Sequence, residues 1–299
     1  MGTSTAAETA TYSVPDKLRS YESKPSSIKC HVARFFQKEG SRFKGRRVLD
    51  LPTGGGLTSY NVAIHGGEAL PYDIFPEYFE VEGLTCEKAD ILEGLPLEDG
   101  SCDDAFCQEG IEHFTDQFKP LCEFNRVMKT GGALFITTPN YSSLLSRLSY
   151  ALTESERWNL RIPPNEADTV KAPISKDRDK GEVYFGHVFL IGIQKLRVLA
   201  KAAGFKIVKV HPTRSRGGSL LLFPFAYPLV YAANLWIRGR MKRKHPNDME
   251  RHAIYDELFR LGTSPRVLLV SHLFVEFEKE REWHEASSRI RGAEAPVSV

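Results

Sequence analysis

Arg47-Val-Leu-Asp-Leu-Pro-Thr-Gly-Gly-Gly56 (RVLDLPTGGG) is the stretch whose reading decides the fold. Val48, Leu49 and Leu51 flank Asp50 in a short apolar run of the kind that forms a buried strand. The glycines that follow mark a tight turn, and Leu57–His65 reads as a short helix that stops at Gly66-Gly67. Strand, glycine turn and helix in that order open a βαβ unit.

The alternation continues in both directions. Ser26–Glu39 has apolar residues near helical spacing and ends at Gly40. Glu68–Tyr72 reads as a second strand ending at Asp73. Thr85–Ala89 is a third, ending at Asp90-Ile91, and Asp104–Gln108 a fourth, ending at Glu109. Phe118–Met128 is helical, and Ala133–Thr137 is a fifth strand running into Thr138-Pro-Asn140. Ile193–Ala203 is an amphipathic helix capped by Gly204, Phe205–Val210 a sixth strand, and Arg266–Phe277 a long seventh. Strands alternating with helices predict an α/β doubly wound, mostly parallel seven-stranded sheet with helices on both faces. Residues 1–25 are expected to be a flexible tail, and 26–299 one domain. Two insertions interrupt the alternation, at 141–186 and 212–265.

Composition removes several function classes. Apolar residues make up 41% and charged residues 26%, ordinary globular usage. Lys+Arg 40 against Asp+Glu 38 leaves a net charge of +2, too mild for a nucleic-acid partner to be expected. Five cysteines, odd in number and without CxxC or Cys/His spacing, predict reduced thiols in a cytoplasmic protein and no zinc site. The opening MGTSTAAETATYSVPDK has no charged segment leading into an apolar one, so no secretory signal is expected.

The chemistry lies in where the acids fall. Asp50, Asp73, Asp90 and Glu109 each close one of the first four strands. Ligands of an open parallel sheet bind outside the carboxyl ends of its strands. Acids there, beside a glycine loop, suit a ligand with hydroxyls and a positive charge. A pyrophosphate wants bare N–H groups instead. The run from Gly54, Gly-Gly-Gly-Leu-Thr-Ser, is not GxGxxG, and no Lys-Ser/Thr follows to make a P-loop.

VLDLPTGGG, then YD, AD-Ile, EGIEH, RVMKTGGALFITTPN and LAKAAGF, in this order and spacing, resemble the class I S-adenosylmethionine-dependent methyltransferases. The likeness is greatest to the branch that methylates small molecules such as quinones, sugars and lipids. It covers roughly Arg47–Asn140 and Gly186–Val210. The resemblance implies S-adenosyl-L-methionine as cofactor and a Rossmann-like methyltransferase fold. It places the glycine loop on Asp50, Gly54 and Gly56, the ribose acid on Asp73, the adenine acid on Asp90 with Ile91 against the ring, and Glu109 near the methionine moiety. One position departs: Pro52 stands where the family pattern has its first glycine, and proline offers no N–H. If the acceptor must lose a proton, His113, His187 and Glu109 are the candidate bases, in that order. Against this, His113 is also a plain helix-start residue and His187 a plain capping one.

The expected reaction is O-methylation of a small or amphiphilic, lipid-like acceptor. Two rivals are an RNA or protein methyltransferase and a non-catalytic, membrane-associated scaffold. The fourth strand ends Cys107-Gln-Glu-Gly110 and lacks the Asn/Asp-Pro-Pro-aromatic tetrapeptide of amino-methylating relatives. Both insertions leave the carboxyl edge of the sheet, if the seventh strand is antiparallel, and would form a substrate lid. The second holds Leu220–Ile237, apolar at 15 of 18 positions, followed by Arg238, Arg240, Lys242, Arg243 and Lys244. Pro224 and Pro228 are expected to break or bend any helix there. Three readings of 220–244 stay open: a buried lid or homodimer surface, a peripheral membrane contact, and a spanning or re-entrant segment. In the first insertion Arg147, Arg157 and Arg161 would meet a substrate anion or else be ordinary surface arginines. Lys171–Lys180 reads as a mobile surface loop.

Overall fold

A computed structural model describes residues 12–155, 162–165 and 186–291. Its sheet has seven strands: β1 (Arg47–Asp50), β2 (Glu68–Asp73), β3 (Glu87–Lys88), β4 (Asp104–Gln108), β5 (Ala133–Pro139), β6 (Phe205–Val210) and β7 (His272–Lys279). Their order is β3-β2-β1-β4-β5-β7-β6. β1 to β5 run parallel, and β7 is antiparallel to both neighbours, β5 and β6. The chain order reverses at β1, between β2 and β4, so a crevice opens there at the strand tips.

The helices are α1 (Asp16–Ser23), α2 (Ile28–Glu39), α3 (Leu57–Ile64), α4 (Phe118–Val127), α5 (Leu144–Thr153), α6 (Ile193–Ala202), α7 (Gly217–Lys244), α8 (Met249–Gly262), α9 (Pro265–Leu268) and α10 (Trp283–Arg291). Two cores hold the layers together. On one face, Phe35 and Phe36 of α2 pack with Phe43, Phe106, Phe135 and Phe274. Each such ring contributes roughly 2–3 kcal/mol by leaving water. On the other, α4 and α6 lay Leu121, Phe124 and Leu196 against Leu134, Ile136 and Val275.

Four expectations are corrected. The tail ends earlier than residue 25: Asp16–Ser23 is a helix, because Leu18 buries itself against Leu57 and Val81. The third strand shrinks to Glu87–Lys88, whose side chains are both exposed and supply no apolar face. The seventh strand starts at His272, not Arg266. Pro265 opens a helical turn there, and the Asn140 amide donates to the carbonyls of Val267 and Val270, fixing the chain before it enters the sheet.

The fourth concerns the prolines. Pro224 and Pro228 do not break α7, which is continuous over 28 residues. Four apart, both sit on one exposed side. The carbonyls of Leu220 and Pro224, which lose their donors, lie on that side, where solvent reaches them. By length and composition α7 could cross a bilayer.

The insertions do leave one edge. Asn140 N–H bonds Ser271 just past the end of β5, and β6, antiparallel to β7, ends on the same side. α5 is the helix among the described residues of the first insertion. Arg157, Trp158, Arg161 and Lys171–Lys180 lie outside the described residues.

Candidate active site

The tips of β2, β1 and β4 surround a cavity of about 430 Å3. Gly54, Asp73, Asp90, Ile91, Glu109 and His113 line it, together with residues that sequence spacing did not mark: Lys29, Thr58 and Gln108.

Asp50 is buried and does not face the cavity. Its Oδ2 accepts from Thr53 Oγ1 at 2.7 Å, Ser59 Oγ at 2.6 Å and Ser59 N–H at 3.0 Å, tying the glycine turn to the first turn of α3. Burial pushes its carboxyl up to about 6 against those three bonds. Asp50 therefore shapes the loop that bounds the site.

The two glycines expected to act together have different duties. Gly54 lies at φ +54°, lines the cavity, and a Cβ there would meet nothing within 4 Å. Gly56 lies at φ +90°, away from the cavity lining. A Cβ there would fall 2.5 Å from both Phe79 Cε2 and Val81 Cγ2. Close ligand approach is thus a matter for Gly54, and Gly56 is a packing position. Pro52 also lines the cavity, and its ring packs on Gly110 so closely that no side chain fits there.

Asp73 is buried, with Oδ2 accepting the Gly54 N–H at 2.8 Å and Oδ1 the Phe75 N–H at 3.0 Å. Each oxygen keeps a lone pair for a further donor. Asp90 is exposed and accepts from the Leu92 N–H at 2.8 Å, and Ile91 supplies an apolar wall beside it.

Beyond β4 stands a second cluster. Glu109 takes φ +53°, and its N–H bonds the Thr137 carbonyl at 3.0 Å. Thr137 Oγ1 donates to Glu109 Oε1 at 3.1 Å, and His272 Nε2 lies 3.5 Å from Oε2. Burial pushes the Glu109 carboxyl up to about 7, opposed by Thr137 and the Lys29 charge. Burial, followed by the charges of Arg216, His187 and His31, presses His272 down to about 4. Its ring is therefore neutral near pH 7. Lys29 is held below its ordinary value by burial.

Glu112 is fully buried. Its Oε2 accepts from Thr138 Oγ1 at 3.0 Å, and its Oε1 has no partner among the described residues. Burial, then the Glu109 charge, pushes it well above its ordinary value. His113 Nδ1 lies 3.1 Å from the Gly186 carbonyl, and its ring is 5.3 Å from that of His187. His113 lines the cavity; His187, exposed, does not. Ligand atoms of Glu112, His113 and His187 come within 4.8 Å of one another, a set that could hold a metal ion. The expectation of no metal site rested on local spacing, which is blind to such a grouping.

The donor set fits S-adenosylmethionine. Asp73 offers two oxygens to a ribose diol, and Ile91 and Leu92 an apolar slot for a base edged by Asp90. Gly54 leaves open space, and Gln108 Nε2 is a buried donor without a partner among the described residues, suited to a carboxylate. Thr58 Oγ1 fixes the other end of that amide at 2.7 Å.

Among curated proteins, the ubiquinone biosynthesis O-methyltransferase of Xanthomonas oryzae pv. oryzae (strain PXO99A) is 34% identical over 105 residues, which is 32% of this chain and 44% of that one. Its counterpart from Xanthomonas campestris pv. campestris (strain B100) is 33% identical over the same lengths. The chain thus spans under half the length of these relatives. A solved S-adenosylmethionine-dependent methyltransferase from Archaeoglobus fulgidus aligns at 17% identity and TM-score 0.49, covering 89% of this chain and all of that one. One from Mesorhizobium loti aligns at 16% and 0.48, covering 85% and 98%. Residues 24–210, well over half of the sequence, match the family described as the methyltransferase domain. The chain therefore belongs to the class I S-adenosylmethionine-dependent methyltransferase-domain family.

Proposed function

We propose that this chain transfers a methyl group from S-adenosylmethionine to a hydroxyl oxygen of a small amphiphilic acceptor, in the cytoplasm or at its membrane face. The observation that carries the reading is the cavity itself, which runs from Asp73 and Asp90 to Glu109 and His113. When bound, S-adenosylmethionine supplies an electrophilic sulfonium methyl. The chain's part is to orient the donor, exclude water and manage one proton.

Asp73 accepts from the ribose hydroxyls, and Asp90 with Ile91 holds the base. Gln108 donates to the amino-acid carboxylate. At the other end Glu109 and His113 stand where an acceptor hydroxyl would enter. With Nδ1–H donating to the Gly186 carbonyl, Nε2 is the basic nitrogen of the neutral His113 ring. Glu109, titrating at about 7, exchanges a proton readily at neutral pH. The hydroxyl proton passes to one of these two groups, both of which are in the cavity lining. His187, beside them but outside the lining, orients His113.

The amphiphilic acceptor is supported by Phe75, Leu57 and Phe114, which make the wall largely apolar. The printed activity of the curated relatives, O-methylation in ubiquinone biosynthesis, makes a phenolic or quinol acceptor the class to try first. All five cysteines are free, which suits a reducing compartment. The test is to incubate the purified chain with methyl-labelled S-adenosylmethionine and a panel of catechols, quinols and polar lipids. Label on an ether oxygen, lost in Glu109→Gln and His113→Gln, is expected. Label on nitrogen, or on none of the panel despite donor binding, would refute the O-methylation reading.

A further inference from the structure

The insertion after β6 carries a surface that the rest of the fold does not use. α7 contains no Asp or Glu over its 28 residues, and none of its most apolar stretch is buried. Its inward side is set by its partners. Tyr231 stacks edge-on to Phe259 of α8 at 5.3 Å and Asn234 sits against Gly262, while at the foot of the helix Gly218 lies against Leu145 of α5. On the outward side Leu221, Phe225, Leu229 and Trp236 are 76%, 79%, 74% and 60% exposed. Spaced by four, four and seven, they form one stripe about 22 Å long. Leu152 of α5, also exposed, extends the apolar area beside the foot of α7.

The basic run at the end of α7 is two groups rather than one cluster. Arg238 and Lys242 both pair with Asp256 and fasten α7 to α8, the second bond at 2.7 Å. Arg240, Arg243 and Lys244 have no ion pair among the described residues. Arg240 lies over the Trp236 ring at 5.5 Å, at the end of the apolar stripe.

An apolar stripe bordered by unpaired cations and no acids is complementary to an anionic bilayer. A second copy of the chain would bring the same cations to the contact with no carboxylate on the helix to meet them. Spanning is excluded by the second half of α7, which is bound to α8. To span, α8 would have to carry Glu250, Arg251, Asp256 and Arg260 into hydrocarbon. The part before Tyr231, residues 217–230, is only about 21 Å long against a core of about 30 Å.

We propose that α7 is an in-plane membrane-binding helix, its Leu221, Phe225, Leu229 and Trp236 entering the headgroup–acyl boundary of an anionic bilayer and Arg240, Arg243 and Lys244 engaging the headgroups. The foot of the helix is close to the site. Arg216, just before α7, bonds the Leu269 carbonyl, and its charge acts on His272, which lies 3.5 Å from Glu109. A helix lying on the membrane thus brings the Glu109 side of the cavity to the lipid surface. That consequence rests on the proposed acceptor; the membrane contact does not.

The test is co-sedimentation of the full chain with phosphatidylcholine vesicles, with and without phosphatidylglycerol. Wild type is expected to pellet with the anionic vesicles at low salt and to be released at high salt. Replacing Arg240, Arg243 and Lys244 with Gln should weaken partitioning about 100-fold. Phe225→Ser with Leu229→Ser should abolish it. All these positions are exposed, so helicity by circular dichroism and S-adenosylmethionine binding should be unchanged, which separates failure of this proposal from failure of the methyl-transfer reading. Wild type remaining in the supernatant, or both variants pelleting like wild type, would overturn the proposal. So would a dimer in sedimentation equilibrium that Phe225→Ser dissociates, with no vesicle binding, because the stripe would then be a subunit interface.

Discussion

Replacing Glu109 with Gln should slow methyl transfer and stabilise the fold, and the two effects should share one pH dependence. The carboxyl stands at about 7 instead of 4.5 because burial disfavours its charge. The native state therefore holds this proton more tightly than the unfolded chain does. Its contribution to stability is complete below about pH 4.5 and is lost as pH rises through about 7. At roughly 1.4 kcal/mol for each tenfold in proton affinity, the ceiling is about 3 kcal/mol. The side chain is 26% exposed, and solvent screening brings the expectation to about 1–2 kcal/mol. Gln keeps the oxygen that accepts from Thr137 Oγ1 and cannot ionise. Urea titrations should therefore show the variant gaining on wild type by that amount between about pH 5 and pH 8. The transfer rate should fall by about 10²–10⁴-fold, and the rising limb of the pH–rate profile near 7 should vanish. A stability difference that is the same at both pH values would refute the assigned burial cost. An unaltered pH limb would remove Glu109 from the proton path.

The glycines give a paired test. Gly54→Ala should cost only about 1–2 kcal/mol of stability, since its left-handed backbone has open space around it, yet crowd the ligand. Gly56→Val should cost about 3–5 kcal/mol through collision with Phe79 and Val81, measured by chemical denaturation. Equal effects of the two would contradict the division of duties. Asp73→Asn should weaken S-adenosylmethionine binding by about 1.5–3 kcal/mol, read by calorimetry, because an amide nitrogen cannot accept from a ribose hydroxyl. Unchanged affinity would move the ribose elsewhere.

What was legible in the sequence was local. Asp73, Asp90 and Glu109 could be placed at one edge because each stands at or just past the end of a strand, and parallel strands share a carboxyl end. Residues brought in from a distance were not. Lys29 sits on α2, whose pattern announces only a buried face, and His272 was hidden inside an apolar run that turned out to be a helical turn followed by a strand. Gln108 is the last residue of β4, where its amide looked like part of the strand. Asp50 ends β1 as the sequence pattern implies, but its Oδ2 turns back into the loop. Sequence marks a strand-end acid but cannot say whether its oxygens turn to the ligand or back to Ser59. The basic run after α7 read as one charge cluster because Asp256, which claims two of its members, lies on the next helix.

The most direct test of the whole account is isothermal titration of S-adenosylmethionine into the purified chain, alongside Asp73→Asn. The account predicts one site per chain, displaced by S-adenosylhomocysteine and weakened in the variant while its thermal unfolding remains cooperative. A folded wild-type chain that takes up no S-adenosylmethionine, or that binds it as well without the Asp73 carboxylate, would contradict the claim that the β2–β1–β4 cavity is a methyl-donor site.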